Sequence, residues 1–203
     1  MVTAIATVAI LGVAGYGLIS ILGSKNTADA SSIQRQNLNR ALNYITDEVR
    51  SASAISPSGS TSGIIGFPTL TPGSQVVLIL TVPNLPKPIV YYVAPAQSPW
   101  LGPNNLIRWG PDINPDGSYN TSSYNSNVLV DSINTSGPNT ACSTGLPIPS
   151  VSNRQGFYAC IDSSGKVADV YLIGLFTDSS GLSSTSDVNS RIYSRSISKL
   201  RSN

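Results

Sequence analysis

The sequence predicts an α+β fold: one long N-terminal helix packed on an antiparallel β-sheet, with a region of Ser-, Asn- and Pro-rich loops. Three observations predict it. The stretch "MVTAIATVAILGVAGYGLISILG" has no charge and no proline, and no turn signal separates it from "NTADASSIQRQNLNRALNYITDEVRSASAI". In that second stretch Leu38, Ala41, Leu42, Ile45, Val49 and Ala52 recur at helical spacing and form one apolar stripe. Beyond it, Val- and Ile-rich runs are separated by Pro/Gly/Ser/Asn loops, the pattern of antiparallel strands.

The helix is expected from near Thr3 to Ile55, roughly 80 Å long, and to stop before Ser56-Pro57-Ser58-Gly59. Its apolar half (1–24) would span the hydrocarbon core of a membrane: Met1 to Gly23 as helix covers about 35 Å. A signal peptide is the alternative, with Ala28-Asp29-Ala30 as cleavage site. No basic residue precedes the apolar run, however, and the run is too long. In the amphipathic half (25–55), Arg35, Arg40, Asp47, Glu48 and Arg50 lie largely off the stripe, so the stripe suits a sheet. Gly12, Gly15 and Gly17 have two readings. Small residues let helices approach closely. Equally, each glycine weakens a helix by up to about 1 kcal/mol, so the segment could stretch or melt there.

Residues 56–203 are expected to form the β domain. Strands are predicted over Gln75–Val82 and Ile89–Val93, a hairpin around a Pro-rich loop. Further strands are expected over Asn105–Trp109, Asn127–Ile133, Gly156–Ile161 and Val167–Phe176. Asp162-Ser163-Ser164-Gly165 marks a turn between the last two. The mixed alternation of Arg191–Leu200 suggests an edge strand.

Composition excludes several classes. Only 11% of residues are charged and the net charge is +2, with no basic stripe, so nucleic-acid binding is not expected. The chain has no His, which removes the Ser-His-Asp triad, the Cys-His dyad and every His-ligated metal site. Cys142 and Cys160 form no C-x-x-C motif. In an oxidising compartment they pair most simply with each other, and closing that loop would stabilise the fold by about 3 kcal/mol in the chain-entropy model. The alternative is two free buried thiols.

The stretches "MVTAIATVAILGVAGYGLIS", "QNLNRALNYITDEVRSA" and "NLIRWG" followed by "NVLVDSI" resemble the type IV pilins and the pseudopilins of type II secretion. The closest resemblance is to the PilW-like minor pilins. It covers the first 55 residues or so well and patches of the rest. It implies a pilin-like fold and a structural role, with no catalysis and no cofactor. Ile5, Val8, Ile10, Leu11, Gly12, Gly15, Gly17, Leu18, Ile21 and Leu22 would then belong to the assembly helix. The implied partners are the cytoplasmic membrane before assembly, an assembly platform and its ATPase, and copies of itself or other pilins in a helical filament. Such filaments serve adhesion, motility, DNA uptake or secretion. The family's processing signature is a Gly, a Phe-type first residue and an acidic residue a few positions on. It is not in this sequence, which starts just inside that motif. Either a few residues precede Met1, or the start codon lies further upstream, or the chain is a divergent member. The main rival is a membrane-anchored extracellular binding module, an adhesin or glycan-binding domain. An anchored hydrolase is harder to build without His.

Candidate sites are few. "DINPDGSYNTSS" places Asp112, Asn114, Asp116, Ser118 and Asn120 at the spacing of a calcium loop around Gly117, but Ser123 stands where the bidentate Glu belongs. The simpler reading is a Pro-Asp-Gly turn capped by its own side chains. Asn120 and Asn134 begin N-glycosylation sequons, which arise easily in so Ser/Thr/Asn-rich a chain. Trp100 and Trp109 with Tyr91, Tyr92, Tyr119 and Tyr124 would stack a sugar or else serve as core and subunit contacts. Asp162, Asp169, Asp178 and Asp187 show no spacing that singles out a catalytic pair.

Overall fold

A computed structural model describes residues 2–138, 142–150, 153–178 and 181–195, with side chains from residue 27 onward. Helix α1 (Val2–Ser51) leads into nine strands: β1 (Ala54–Ile55), β2 (Gln75–Thr81), β3 (Ile89–Pro95), β4 (Asn104–Ile113), β5 (Tyr119–Ile133), β6 (Leu146–Ile148), β7 (Phe157–Ile161), β8 (Val167–Thr177) and β9 (Ser183–Tyr193). They pair in the order β1-β2-β3-β4-β5-β8-β7-β6, every pair antiparallel, with β9 added along β8.

This corrects the expected fold class. The molecule is mostly β: a curled nine-stranded sheet, a half-barrel, rather than a long helix packed on a sheet. Among the residues of α1 whose side chains are described, the buried positions run from Gln34 to Val49, a span of about 24 Å. The reason lies in the sheet. A curled sheet brings its own inner face together, so most of the main core is strand against strand. Val77, Leu78, Leu80, Ile89, Tyr91, Val93, Leu106, Phe157, Val170 and Leu172 meet there, and α1 adds Leu38, Ala41, Leu42, Ile45 and Val49. These helix residues are at most 6% exposed, as is Ala52 just beyond. The helix also ends at Ser51 rather than Ile55, because Ala54 and Ile55 pair with Thr81 and Leu80 of β2.

The outer face carries a second core. Val76, Ile79, Val90, Tyr92, Ala94 and Trp109 point away from α1 and are covered by Ile64, Phe67 and Leu70 from the segment before β2. Phe67 meets Tyr92 and Trp109 edge to face at 5.8 and 5.2 Å. With both faces buried, β2 and β3 read as unbroken apolar runs rather than alternating ones.

The edge expected over Arg191–Leu200 is shifted. The strand is Ser183–Tyr193, and residues 196–200 lie outside those described. Among the described residues β9 pairs only with β8 and so forms an edge, with Val188 and Ile192 inward and Asn189 and Arg191 outward. Cys142 and Cys160 are joined in a disulfide with Cα atoms 5.7 Å apart, tying the chain before β6 to β7.

Candidate functional site

The assembly-helix positions, Ile5 to Leu22 with Gly12, Gly15 and Gly17, lie in α1 where side chains are outside the described residues. Among the described residues no helix is long and apolar enough to cross a membrane.

The candidate calcium loop forms the tip of the β4–β5 hairpin. Its side chains bond within the turn. Asp116 Oδ1 accepts from Ser118 N (2.9 Å) and Oγ (2.7 Å), and Asn114 Nδ2 donates to Ser118 Oγ at 2.9 Å. The two bonds from Ser118, first that of its hydroxyl, hold the Asp116 carboxyl below its ordinary range. Asp112 Oδ2 instead accepts from Ser123 and Asn125 on β5. Asn120 lies on β5 and accepts from Ser122; Asn134 follows that strand, and its backbone N–H donates to Ile173 O. The four aspartates are dispersed. Asp162 caps the β7–β8 turn, Asp169 pairs with Arg191 at 2.6 Å, Asp178 accepts from Thr27, and Asp187 faces solvent on β9. Among the described residues no three His, Cys, Asp or Glu side chains gather as metal ligands would.

The six aromatic residues do not make one platform. Tyr91 and Tyr119 turn to the inner face, while Tyr92, Trp109 and Tyr124 belong to the outer core. Trp100 stands apart in the β3–β4 loop, 48% exposed.

A buried charge cluster on the inner face went unread in the sequence. Glu48 of α1 and Arg108 of β4 form an ion pair at 2.8 Å, with side chains only 5% and 3% exposed. Arg108 Nε and Nη2 donate to the Glu48 carboxylate, as do the hydroxyls of Tyr91 and Tyr119, and Arg108 Nη1 donates to Pro111 O. Burial pulls the Arg108 pKa down, but its bonds to Glu48 outweigh this and hold it above its ordinary value. Burial, then the Glu48 charge, push the Tyr119 hydroxyl up to about 12 and raise Tyr91 and Tyr44 as well. With Glu48's oxygens thus occupied, the cluster clamps α1 to the sheet rather than offering a free base. Glu48, expected largely off the apolar stripe, lies on it: it sits three residues after Ile45 and four before Ala52, and that spacing was the signal.

The outer face holds an open cleft of about 310 Å³ between the segment before β2 and the β3–β4 loop. Trp100, Tyr92, Ile107 and Asn105 line it, with Gln97 and Ser126 at its rim. Trp100 N donates to Gln97 O at 3.0 Å, Tyr92 Oη donates to Ser126 Oγ at 3.2 Å, and Leu101 N donates to Asp131 Oδ2 at 3.1 Å, so the walls are tied down. Asn105 is 3% exposed and its Oδ1 has no hydrogen-bond partner. Among the described residues no charged side chain lines the cleft. A wider cleft of about 770 Å³ beside β6 has no aromatic wall.

Comparison with protein-family models finds no match, and comparisons with curated proteins and with solved structures find none either.

Proposed function

We propose that this chain is a structural subunit of an extracellular type IV pilus-like filament, of the pilin and pseudopilin kind and nearest its PilW-like minor members. The observation that carries the reading is the apolar run Met1–Gly23, joined without a helix breaker to a helical stretch clamped into the β half. A chain so built has one segment that needs lipid or other helices and a folded cap that needs neither. Before assembly the apolar segment rests in the cytoplasmic membrane with the β half outside. A platform protein and its ATPase then move it into a helical filament. Leaving lipid sacrifices hydrophobic burial, and packing among many such helices restores it. The Cys142–Cys160 bond suits a domain held in an oxidising compartment. The reading assigns the protein no reaction.

The test is to shear surface fibres from the cells that make the protein, identify their chains by mass spectrometry, and label them with antibody to the β half under electron microscopy. Labelled fibres containing this chain are expected. Finding it only as monomers in the membrane fraction, with no labelled fibre, sinks the reading.

A further inference from the structure

The outer cleft plays no part in filament assembly as proposed above, and its chemistry is specific. We propose that it binds a neutral sugar, with one pyranose ring laid against Trp100.

Four features lead there. Size comes first: about 310 Å³ lies at the small end of ligand sites, enough for one or two sugar rings. Second is the wall. Trp100 leaves 48% of its surface in water, where an indole face loses the burial it would gain elsewhere. A pyranose offers a matching apolar C–H face. Third is the floor. Asn105 is buried with an unpaired acceptor, a costly state for an amide. Asn105 lines the cleft, where a sugar hydroxyl can bond its amide. Fourth is charge. The rim offers Gln97, Ser98, Ser126 and Thr71, all neutral. Among the described lining residues a carboxylate or phosphate would find no Lys or Arg, and a cation no Asp or Glu. A purely apolar ligand would strip water from these polar groups without replacing its bonds. A proline-rich peptide wants a groove of exposed aromatics, and Tyr92 is only 5% exposed. The tied walls mean little ordering is needed on binding. The proposal stands apart from the filament reading, because the cleft belongs to the β half whether or not the chain assembles.

The test uses the full-length chain in a zwitterionic detergent without sugar head groups. It is titrated with methyl glucoside, methyl galactoside, methyl mannoside, N-acetylglucosamine, lactose and maltose, followed by tryptophan fluorescence and NMR saturation transfer. Glucuronate and tetraproline are the comparison ligands. At least one neutral sugar should saturate the protein while glucuronate and tetraproline do not. Trp100→Ala should raise its Kd about tenfold or more, and Gln97→Ala should weaken it measurably, with melting temperatures unchanged. Should Trp100→Ala fail to fold, the exposed Gln97→Ala variant decides. The proposal is overturned if no neutral sugar binds, if glucuronate or tetraproline binds more tightly, or if the folded variants bind like the parent chain.

Discussion

Glu48 and Arg108 show how much can hang on one pair of residues. Both charges are withdrawn from water at the seam between α1 and β4, and Tyr91 and Tyr119 complete the carboxylate's bonds. Desolvating two charges is expensive, so such a pair adds little net stability over an apolar pair of the same volume, yet breaking it leaves a buried charge uncompensated. Glu48→Ala should therefore lower unfolding free energy by about 3–5 kcal/mol. The double variant Glu48→Leu with Arg108→Met should recover most of that loss. Urea unfolding of the full-length chain in mild detergent, followed by tryptophan fluorescence, checks both. If the double variant were as unstable as the single one, the clamp would be making a net contribution that exceeds its desolvation cost. Gln34 is a milder instance: it too is buried at stripe spacing, four residues before Leu38, and donates to Ser132 O at 3.5 Å.

The turn between β7 and β8 carries a prediction on the scale of elements. Asp162 accepts from the backbone N–H groups of Ser164, Lys166 and Val167 and from the Ser164 hydroxyl, so one carboxylate organises the whole reversal. Next to it Gly165 adopts φ +64° with an ideal Cβ position 2.4 Å from Ile55 O, a place only glycine fills. The Ser164 hydroxyl bond, with the backbone bonds, lowers the Asp162 pKa to about 2. A carboxyl depressed in the folded state stabilises above its unfolded pKa of about 4, and that stability is lost as pH falls toward the folded value. Asp162→Ala should thus melt below the parent chain at neutral pH, with the gap closing between pH about 4 and about 2; thermal scans across that range measure it. This turn was legible from Asp-Ser-Ser-Gly, as were the cores of β2, β3, β4, β7 and β8 from their apolar runs. Less legible were the first half of β5, "YNTSSYNS", and most of β9, "SSTSDVNSR". Their polar side chains face water, and pairing with neighbouring strands rather than hydrophobic period holds them. The outer cleft was beyond reach for a related reason. Trp100, Asn105 and Ser126 come together only through the pairing of β4 with β5, and the sequence suggested one aromatic group where the two faces of the sheet hold separate ones.

At the scale of the whole molecule the fold class itself was misjudged, because the apolar stripe of a helix is conspicuous and the curl of a sheet is not. The stripe Leu38 to Ala52 does enter the core, but the sheet closing on itself supplies most of what surrounds it. A half-barrel has ends to secure. β9 secures one with a polar outward row. β6 is only three residues long and pairs with β7 at Leu146↔Ile161, Pro147↔Cys160 and Ile148↔Ala159. Pro147 has no N–H to give to that ladder, so three pairs make a weak hold. The Cys142–Cys160 bond reinforces it from beside the middle pair, closing a separation of 18 residues. Removing that constraint should cost about 3 kcal/mol in the chain-entropy model. The loss should fall first on the edge, because β7 is held on its other side by β8 over five register pairs, from Phe157↔Leu172 to Ile161↔Ala168. Hydrogen exchange of the full-length chain with and without reductant separates these effects. Leu146 and Ile148 should lose protection on reduction while Phe157 to Ile161 keep most of theirs, and the urea midpoint should fall while the slope rises, because the uncrosslinked unfolded chain exposes more surface. Uniform loss of protection across β7 and β8 would mean instead that the disulfide holds the closure of the whole half-barrel, not only its edge.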